Sequence, residues 1–261
     1  MIGAAARPAA RPWLAGVVPL AIVAAWLVVT SALHRFQPHQ LPSPAQVAAT
    51  AWQLATSGEL ARHVLASLGR VAAGFALGGS LALVLGTLVG LSRTAEAILD
   101  PTLQLARNVP SLAWVPFLLL WMGIDEAPKI TLIAIGAAFP VYLNLVAGIR
   151  QVDPALREVG QVFGMTRGEM IGRIVLPAAA PYLLTGARIA IGQSWLFLVA
   201  AELIASTRGL GFLLIDGENT ARPDVMLVGI LALATLGKLS DSALRGAARW
   251  LVPWADGTAA R

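Results

Sequence analysis

An all-α polytopic membrane protein with about six transmembrane helices is the fold class this sequence predicts, on three observations. Hydrophobic residues make up 57% of the 261 and charged residues only 13%, with a mean hydropathy of +0.73. A soluble domain carries about 25% charged residues, so this chain lacks the charged surface to enclose a water-facing core. Several runs of about 20 apolar residues are each long enough to cross a hydrocarbon layer of about 30 Å. The runs are continuous rather than alternating, which argues against a β-barrel.

The elements follow in order. Residues 1–12 form a small-residue tail carrying Arg7, Pro8, Arg11 and Pro12. The first span covers about Trp13 to Leu33. Basic residues before an apolar run also suit a signal peptide, but the run outlasts an h-region of about 7–15 residues and no A-x-A site follows. LPSP at Leu41 to Pro44 opens a polar stretch, and the residues after it read as an amphipathic helix lying at the membrane surface. The second span, about Leu68 to Leu91, holds Gly74/Gly78 and Gly86/Gly90. These G-x-x-x-G pairs either permit close helix approach or are glycines that a membrane helix merely tolerates. Span three, about Thr102 to Met122, is broken by Pro110 and Pro116, and the backbone groups freed there need partners within protein or a wet cavity. A short turn, Gly123 to Pro128, leads to span four, about Ile130 to Ile149. Span five is about Tyr182 to Ala205, a polar loop occupies residues 206–223, and span six is about Val225 to Leu244. Residues 13–250 thus form one transmembrane domain, and 251–261 a C-terminal tail expected on the cytoplasmic side.

The net charge of +5 comes from arginines at span ends, which suits topology and anionic lipid headgroups rather than nucleic acid. With the N-terminus inside, the inner segments hold about 10 Lys and Arg and the outer ones about 5. Both termini and the segment 150–178 are then cytoplasmic. There is no cysteine, which removes disulfide, zinc-thiolate and thiol chemistry. His34, His39 and His63 lack metal-ligand spacing and read as interfacial or solvated, so no metal site is expected. Gly237-Lys238 lies in an apolar span without the upstream glycine of a phosphate loop, so the chain carries no nucleotide site of its own. No inverted repeat points to a secondary transporter, and no nucleophile constellation points to an enzyme.

The most informative stretch is Asp153 to Pro177, DPALREVGQVFGMTRGEMIGRIVLP. It reads as two short helices joined by a turn. Asp153 caps the first, with Pro154 at its first position. Gly164 ends that helix with a positive φ. Thr166 and Glu169 make a capping box for the second, and Pro177 is expected to stop it and begin the return into the bilayer.

That spacing resembles the EAA loop of ABC-importer permeases, E-A-A-x3-G-x9-I-x-L-P, with Glu158, Gly164, Ile174, Leu176 and Pro177 in register. Val159-Gly160 stands where the family has two alanines; Gly160 keeps the small volume and Val159 does not. RNVPSLAWVPFLLLWMGIDEAPKI at Arg107 to Ile130, LPSP, SGEL at Ser57 to Leu60 and GKLSD at Gly237 to Asp241 resemble the aliphatic sulfonate permease subfamily. Leu184 to Phe212 is as similar to taurine permeases, and nitrate permeases share much of the pattern.

The resemblance implies the transmembrane domain of a type I ABC importer in a bacterial inner membrane. Two copies would pair with two ABC ATPase subunits, which bind ATP and Mg; this chain would hold no cofactor. Solute would come from a periplasmic or lipid-anchored solute-binding protein, aliphatic sulfonates being the expected class. The coupling residues would be Glu158, Gly160, Gly164, Arg167, Ile174, Leu176 and Pro177. Arg157, Arg167 and Arg173 either meet an acidic rim of the ATPase or serve as topology charges. Arg70, Arg107, Arg188, Glu202 and Lys238 are charges at or near membrane depth, which usually face protein or water. A path for an anion needs donors or positive potential. Arg107 and Asn108 supply both, and Gln193, Ser194 and Trp195 add polar lining and an apolar wall; the alternative for each is a structural role. Glu202 would repel an anion and is assigned to pairing or gating. Asp125, Glu126, Asp216 and Glu218 are candidates for docking the solute-binding protein.

Overall fold

The computed structural model describes residues 14–33, 37 and 39–254. The tail 1–12, Trp13, His34 and the closing residues 255–261 lie outside them. Eleven α-helices appear among the described residues, with no strand.

Helix α1 (Leu14–Leu27) runs into a π-turn (Val28–Ala32). Its apolar side chains, Val18, Leu20 and Ile22 among them, are exposed on the isolated chain, as a lipid-facing helix requires. Trp26 donates from Nε1 to the Pro42 carbonyl at 3.0 Å and ties α1 to LPSP. Helix α2 (Pro44–Thr56) is amphipathic as expected, but its apolar face packs on the chain itself rather than resting on a membrane surface: the Ser43 hydroxyl caps it, Pro44 opens it, and Val47, Thr50 and Leu54 form its buried face. That face meets Val228 of α11 (Pro223–Leu251). The Thr50 hydroxyl donates to Asp224 at 2.6 Å, and Asp224 also accepts from Arg222.

The core is a three-helix stack of α3 (Glu59–Leu91), α6 (Glu126–Arg150) and α9 (Leu176–Ala205), with α6 between the other two. The G-x-x-x-G pairs of α3 serve close approach. A Cβ on Gly74 would lie 2.5 Å from Ile133, and one on Gly78 would collide with the Ala134 carbonyl. Gly86 and Gly90 receive Leu145 and Ile149 in the same way.

Four helical segments are long and apolar enough to cross a membrane: α3, α6, 167–204 and α11. A bent pair, α4 (Arg93–Asn108) with Ser111–Met122, makes a fifth if counted as one span, and α1 contributes a shorter apolar stretch, Gly16–Ser31. In the bent pair a 3-10 turn (Ser111–Trp114) leads into α5 (Val115–Met122), and the bend is 90°. Only Pro110 breaks the path. Val109 before it is extended, as a residue preceding proline prefers, whereas Pro116 sits in the first turn of α5 where its missing N–H costs nothing. The expected break at Pro116 is therefore absent.

Two further expectations change. Pro177 does not stop the second helix of that segment: α8 (Arg167–Met170) continues through a π-turn (Ile171–Val175) into α9. Pro177 lies in the first turn after the π-turn, so the helix accommodates the missing donor and runs on. Residues 206–223 are not simply a loop but hold α10 (Leu210–Asn219), whose Leu210 and Leu213 join the core of Val71, Ile133 and Leu198.

Candidate functional site

The segment 153–177 forms as its local chemistry dictates. Asp153 accepts from the Ala155 N–H at 2.9 Å and opens α7 (Pro154–Val162). Gly164 follows with φ +66, the left-handed region that glycine enters without a Cβ penalty. The Thr166 N–H donates to Glu169 at 3.0 Å while the Glu169 N–H donates to the Thr166 hydroxyl, completing the capping box.

Gly160 is buried where α7 crosses α8 and the π-turn. A Cβ there would lie 2.5 Å from Met170 Cε and 2.9 Å from Ile174 Cδ1, so the crossing needs the small residue. Ile174, Leu176 and Pro177 are half-buried at the base. Val152 and Val175, with Ala179, join Leu145 and Ile149 in one apolar cluster that fixes the segment to α6 and α9. Val159 faces outward at 49% exposure, so its volume displaces nothing inside the chain.

The outer face of α7 is apolar and uncovered. Leu156 and Val159 are exposed, Val162 is 85% exposed and Phe163 is 77% exposed. Glu158 and Arg167 are exposed beside them, with no ion-pair partner among the described residues. Arg173 lies 4.0 Å from Glu169. Arg157 is different from its neighbours: it turns inward and donates from Nη2 to the Ile149 carbonyl at 2.9 Å, satisfying the C-terminal end of α6.

At the opposite end of the core a buried charge network gathers. Glu202, only 1% exposed, accepts from Ser67 Oγ at 2.8 Å, Arg70 Nη1 at 2.7 Å and the Gly211 N–H at 2.7 Å. Arg70 is also held bidentate by Glu126, at 2.6 and 2.7 Å, and donates to the Arg208 carbonyl. His63 accepts from the Gly209 N–H at 3.0 Å and stacks on Phe212. His63 is thus a buried structural group rather than a solvated one, while His39 is exposed. Three donors compensate the Glu202 carboxylate, as a buried charge requires. The network clamps segment 208–211 onto α3, α6 and α9 at once. Glu202 therefore pairs, as expected of it. Ser67 and His63 were missed, although His63, Ser67 and Arg70 stand at i, i+4 and i+7 on one helical face.

A cavity of about 670 Å³ opens beside this network, lined by Asp125, Glu126, Lys129, Ser206, Thr207 and Arg208 among others. Asp125 and Glu218 are exposed and Asp216 is half-buried on α10, none with an ion-pair partner among the described residues. Glu126 begins α6 rather than ending the preceding turn.

The pathway candidates separate. Arg107 and Asn108 are exposed at the end of α4, just before the bend. Ser194 is fully buried and donates to the Ala190 carbonyl at 2.9 Å. Trp195 packs in the core with Val71, Ile133 and Leu198 and donates to Ser240 at 3.3 Å. Gln193 is half-buried. The structure does not bring the α4 pair and the α9 trio together: α4 packs chiefly on α3.

Comparisons with known proteins fit this layout. Residues 74–252 match the family model described as binding-protein-dependent transport system inner membrane component. The chain is 42% identical over 243 residues to the "Putative aliphatic sulfonates transport permease protein SsuC" of Bacillus subtilis (strain 168), covering 93% of this chain and 88% of that one. It is 36% identical over 244 residues to the taurine transport system permease protein TauC of Escherichia coli (strain K12), covering 92% and 88%. Among solved structures, an inward-facing MetNI methionine ABC transporter chain superposes with TM-score 0.54 at 22% identity, over 71% of this chain and 95% of that one. The likeness extends to the fold.

Proposed function

The chain belongs to the family of binding-protein-dependent transport system inner membrane components, and from that premise we propose that it moves aliphatic sulfonates inward as the permease of an ATP-driven importer. The observation that carries the reading is the coupling segment: a rigidly capped helix pair, fixed by its base to α6 and α9, whose outer face is apolar and uncovered. Two ATPase subunits, each holding ATP and Mg, dock on two copies of this face. Val162 and Phe163 supply the apolar contact, Glu158 and Arg167 the polar one. Gly160, Gly164, Ile174, Leu176 and Pro177 shape the segment. The chain is the transport subunit, and ATP hydrolysis belongs to the separate ATPase.

Residues 13–250 act as one transmembrane domain, and the tails 1–12 and 251–261 lie with the coupling segment on the cytoplasmic side, as the arginine distribution supports. The second copy packs through apolar surface that includes the bend between α4 and α5, where Leu112, Phe117 and Trp121 are exposed. In that dimer the path begins with Arg107 and Asn108, whose exposure on one protomer suits a passage lying between two. Gln193 lines it, and Ser194 and Trp195 support its wall from within the core. The solute-binding protein docks on the far end, against Asp125, Glu126, Asp216 and Glu218. ATP closes the ATPase dimer, the coupling segments move together, and α6 and α9 carry the motion to that end. ATP drives this only through unequal affinity for the two states.

The likeness to a taurine permease favours a second reading of the solute, a small organic sulfonate bearing an amine; nitrate is the third. ATP hydrolysis by the permease reconstituted with its ATPase and binding protein distinguishes them. Stimulation by alkanesulfonates above taurine and nitrate is expected. Stimulation by another solute alone discards the sulfonate assignment and keeps the importer.

A further inference from the structure

We propose that a pocket between α9 and α11, at the same end as the coupling segment, is a binding site for an anionic phospholipid headgroup. The cavity has a volume of about 320 Å³ and is lined by Thr185, Arg188, Arg245, Arg249 and the apolar Leu184 and Val252, among others. Tyr182, between the lining Pro181 and Leu184 on α9, donates to Gln151 at the α6–α7 junction at 2.7 Å, which fixes the end of the bundle concerned.

Three guanidiniums line the pocket, and two of them share one carboxylate. Arg188 donates from Nε to Asp241 at 3.1 Å, and Arg245 donates from Nη2 to the same carboxylate. Asp241 thus holds two arginines side by side and leaves most of their donors free. Arg249 has no ion-pair partner among the described residues and is exposed at the pocket mouth. Among the described residues the site carries an excess of two positive charges, with fork-shaped donors matched to the oxygens of a phosphodiester.

Two observations select a lipid over a free phosphate. Leu184 and Val252 give the pocket an apolar wall that a free oxyanion does not use. Trp250, 90% exposed, and Trp254 follow Arg249 in the chain, the amphipathic aromatics that sit at headgroup level in a bilayer. In the proposed orientation this is the leaflet whose anionic lipids attract basic segments. The lipid would brace α11 against α9 beside the coupling segment.

Native mass spectrometry of the full chain in detergent, titrated with phosphatidylglycerol or phosphatidylcholine, tests the site without depending on orientation or solute. Preferential retention of phosphatidylglycerol is expected, falling about fivefold in Arg249→Gln and further in Arg188→Gln/Arg249→Gln, while Arg249→Lys keeps most of it. Arg249 is exposed and has no ion-pair partner among the described residues, so an unchanged melting temperature in Arg249→Gln controls for folding. Equal retention of the two lipids, or a preference unaltered in the double variant, overturns the site. Displacement of phosphatidylglycerol by millimolar inorganic phosphate reassigns it to a free oxyanion. Weaker ATPase copurification in Arg249→Gln with lipid preference intact gives the arginines to the ATPase and overturns the lipid.

Discussion

Arg70 holds two carboxylates, whereas Glu202 holds Arg70 and two neutral donors, and this asymmetry sets what each substitution does. Replacing Arg70 with Met strands Glu202 as a buried charge, at a cost of about 3–5 kcal/mol. Glu202→Gln leaves Arg70 bidentate on Glu126 but turns an amide NH2 toward one of the donors that the carboxylate met, leaving that donor unsatisfied at a cost of about 1–3 kcal/mol. Thermal unfolding in detergent should therefore rank Arg70→Met below Glu202→Gln, and the reverse order would show that the network is not organised around Arg70. At Gly160, a leucine must displace Met170 and Ile174. That overpacking costs about 1–3 kcal/mol locally. Gly160→Leu should insert normally but lose ATPase copurification; retention at the wild-type level would contradict the assigned crossing. Gly160 was readable from spacing to Ile174. The Arg70 network was not, because its bonds join residues 56 and 132 positions apart, which no local pattern reports.

Element by element, legibility followed how local the cause is. The coupling helices are written in caps a few residues apart, Asp153 to Ala155 and Thr166 to Glu169, and both formed as expected. Helix α10 was hidden because its apolar run, Leu210 to Ile215, is short and bounded by polar residues; its stability comes from packing Leu210 and Leu213 into a core assembled from α3, α6 and α9. Pro177 misled because proline usually ends a helix, and the π-turn that spares this one cannot be read from a single residue. The packing of α3 on α6 gives a paired test. Gly78→Ala drives a methyl into the Ala134 carbonyl, while Gly79→Ala meets open space. Gly78→Ala should lower the melting temperature and the yield of folded protein, with Gly79→Ala neutral or slightly stabilising, since alanine is the better helix former by about 1 kcal/mol. Equal effects would mean that α3 does not approach α6 closely.

On the scale of the molecule, α6 and α9 join two ends that share no side chain. One end carries the coupling segment, seated on Leu145, Ile149 and Val175; the other carries the clamp of Arg70, Glu126 and Glu202 over segment 208–211. In the proposed assembly that layout would let docking at one end reposition the other as a rigid stack does, through packed helices. The chain has no cysteine, so single cysteines can be introduced without background. The decisive measurement is oxidative cross-linking to a cysteine-scanned ATPase subunit from Val162→Cys on α7 and from Thr207→Cys at the far end. Cross-links from position 162, changing in yield with ATP, and none from position 207 are the predicted result. Cross-links from 207 alone, or from neither position in a complex that copurifies, would contradict the assignment of α7 as the surface through which ATP hydrolysis is coupled to transport.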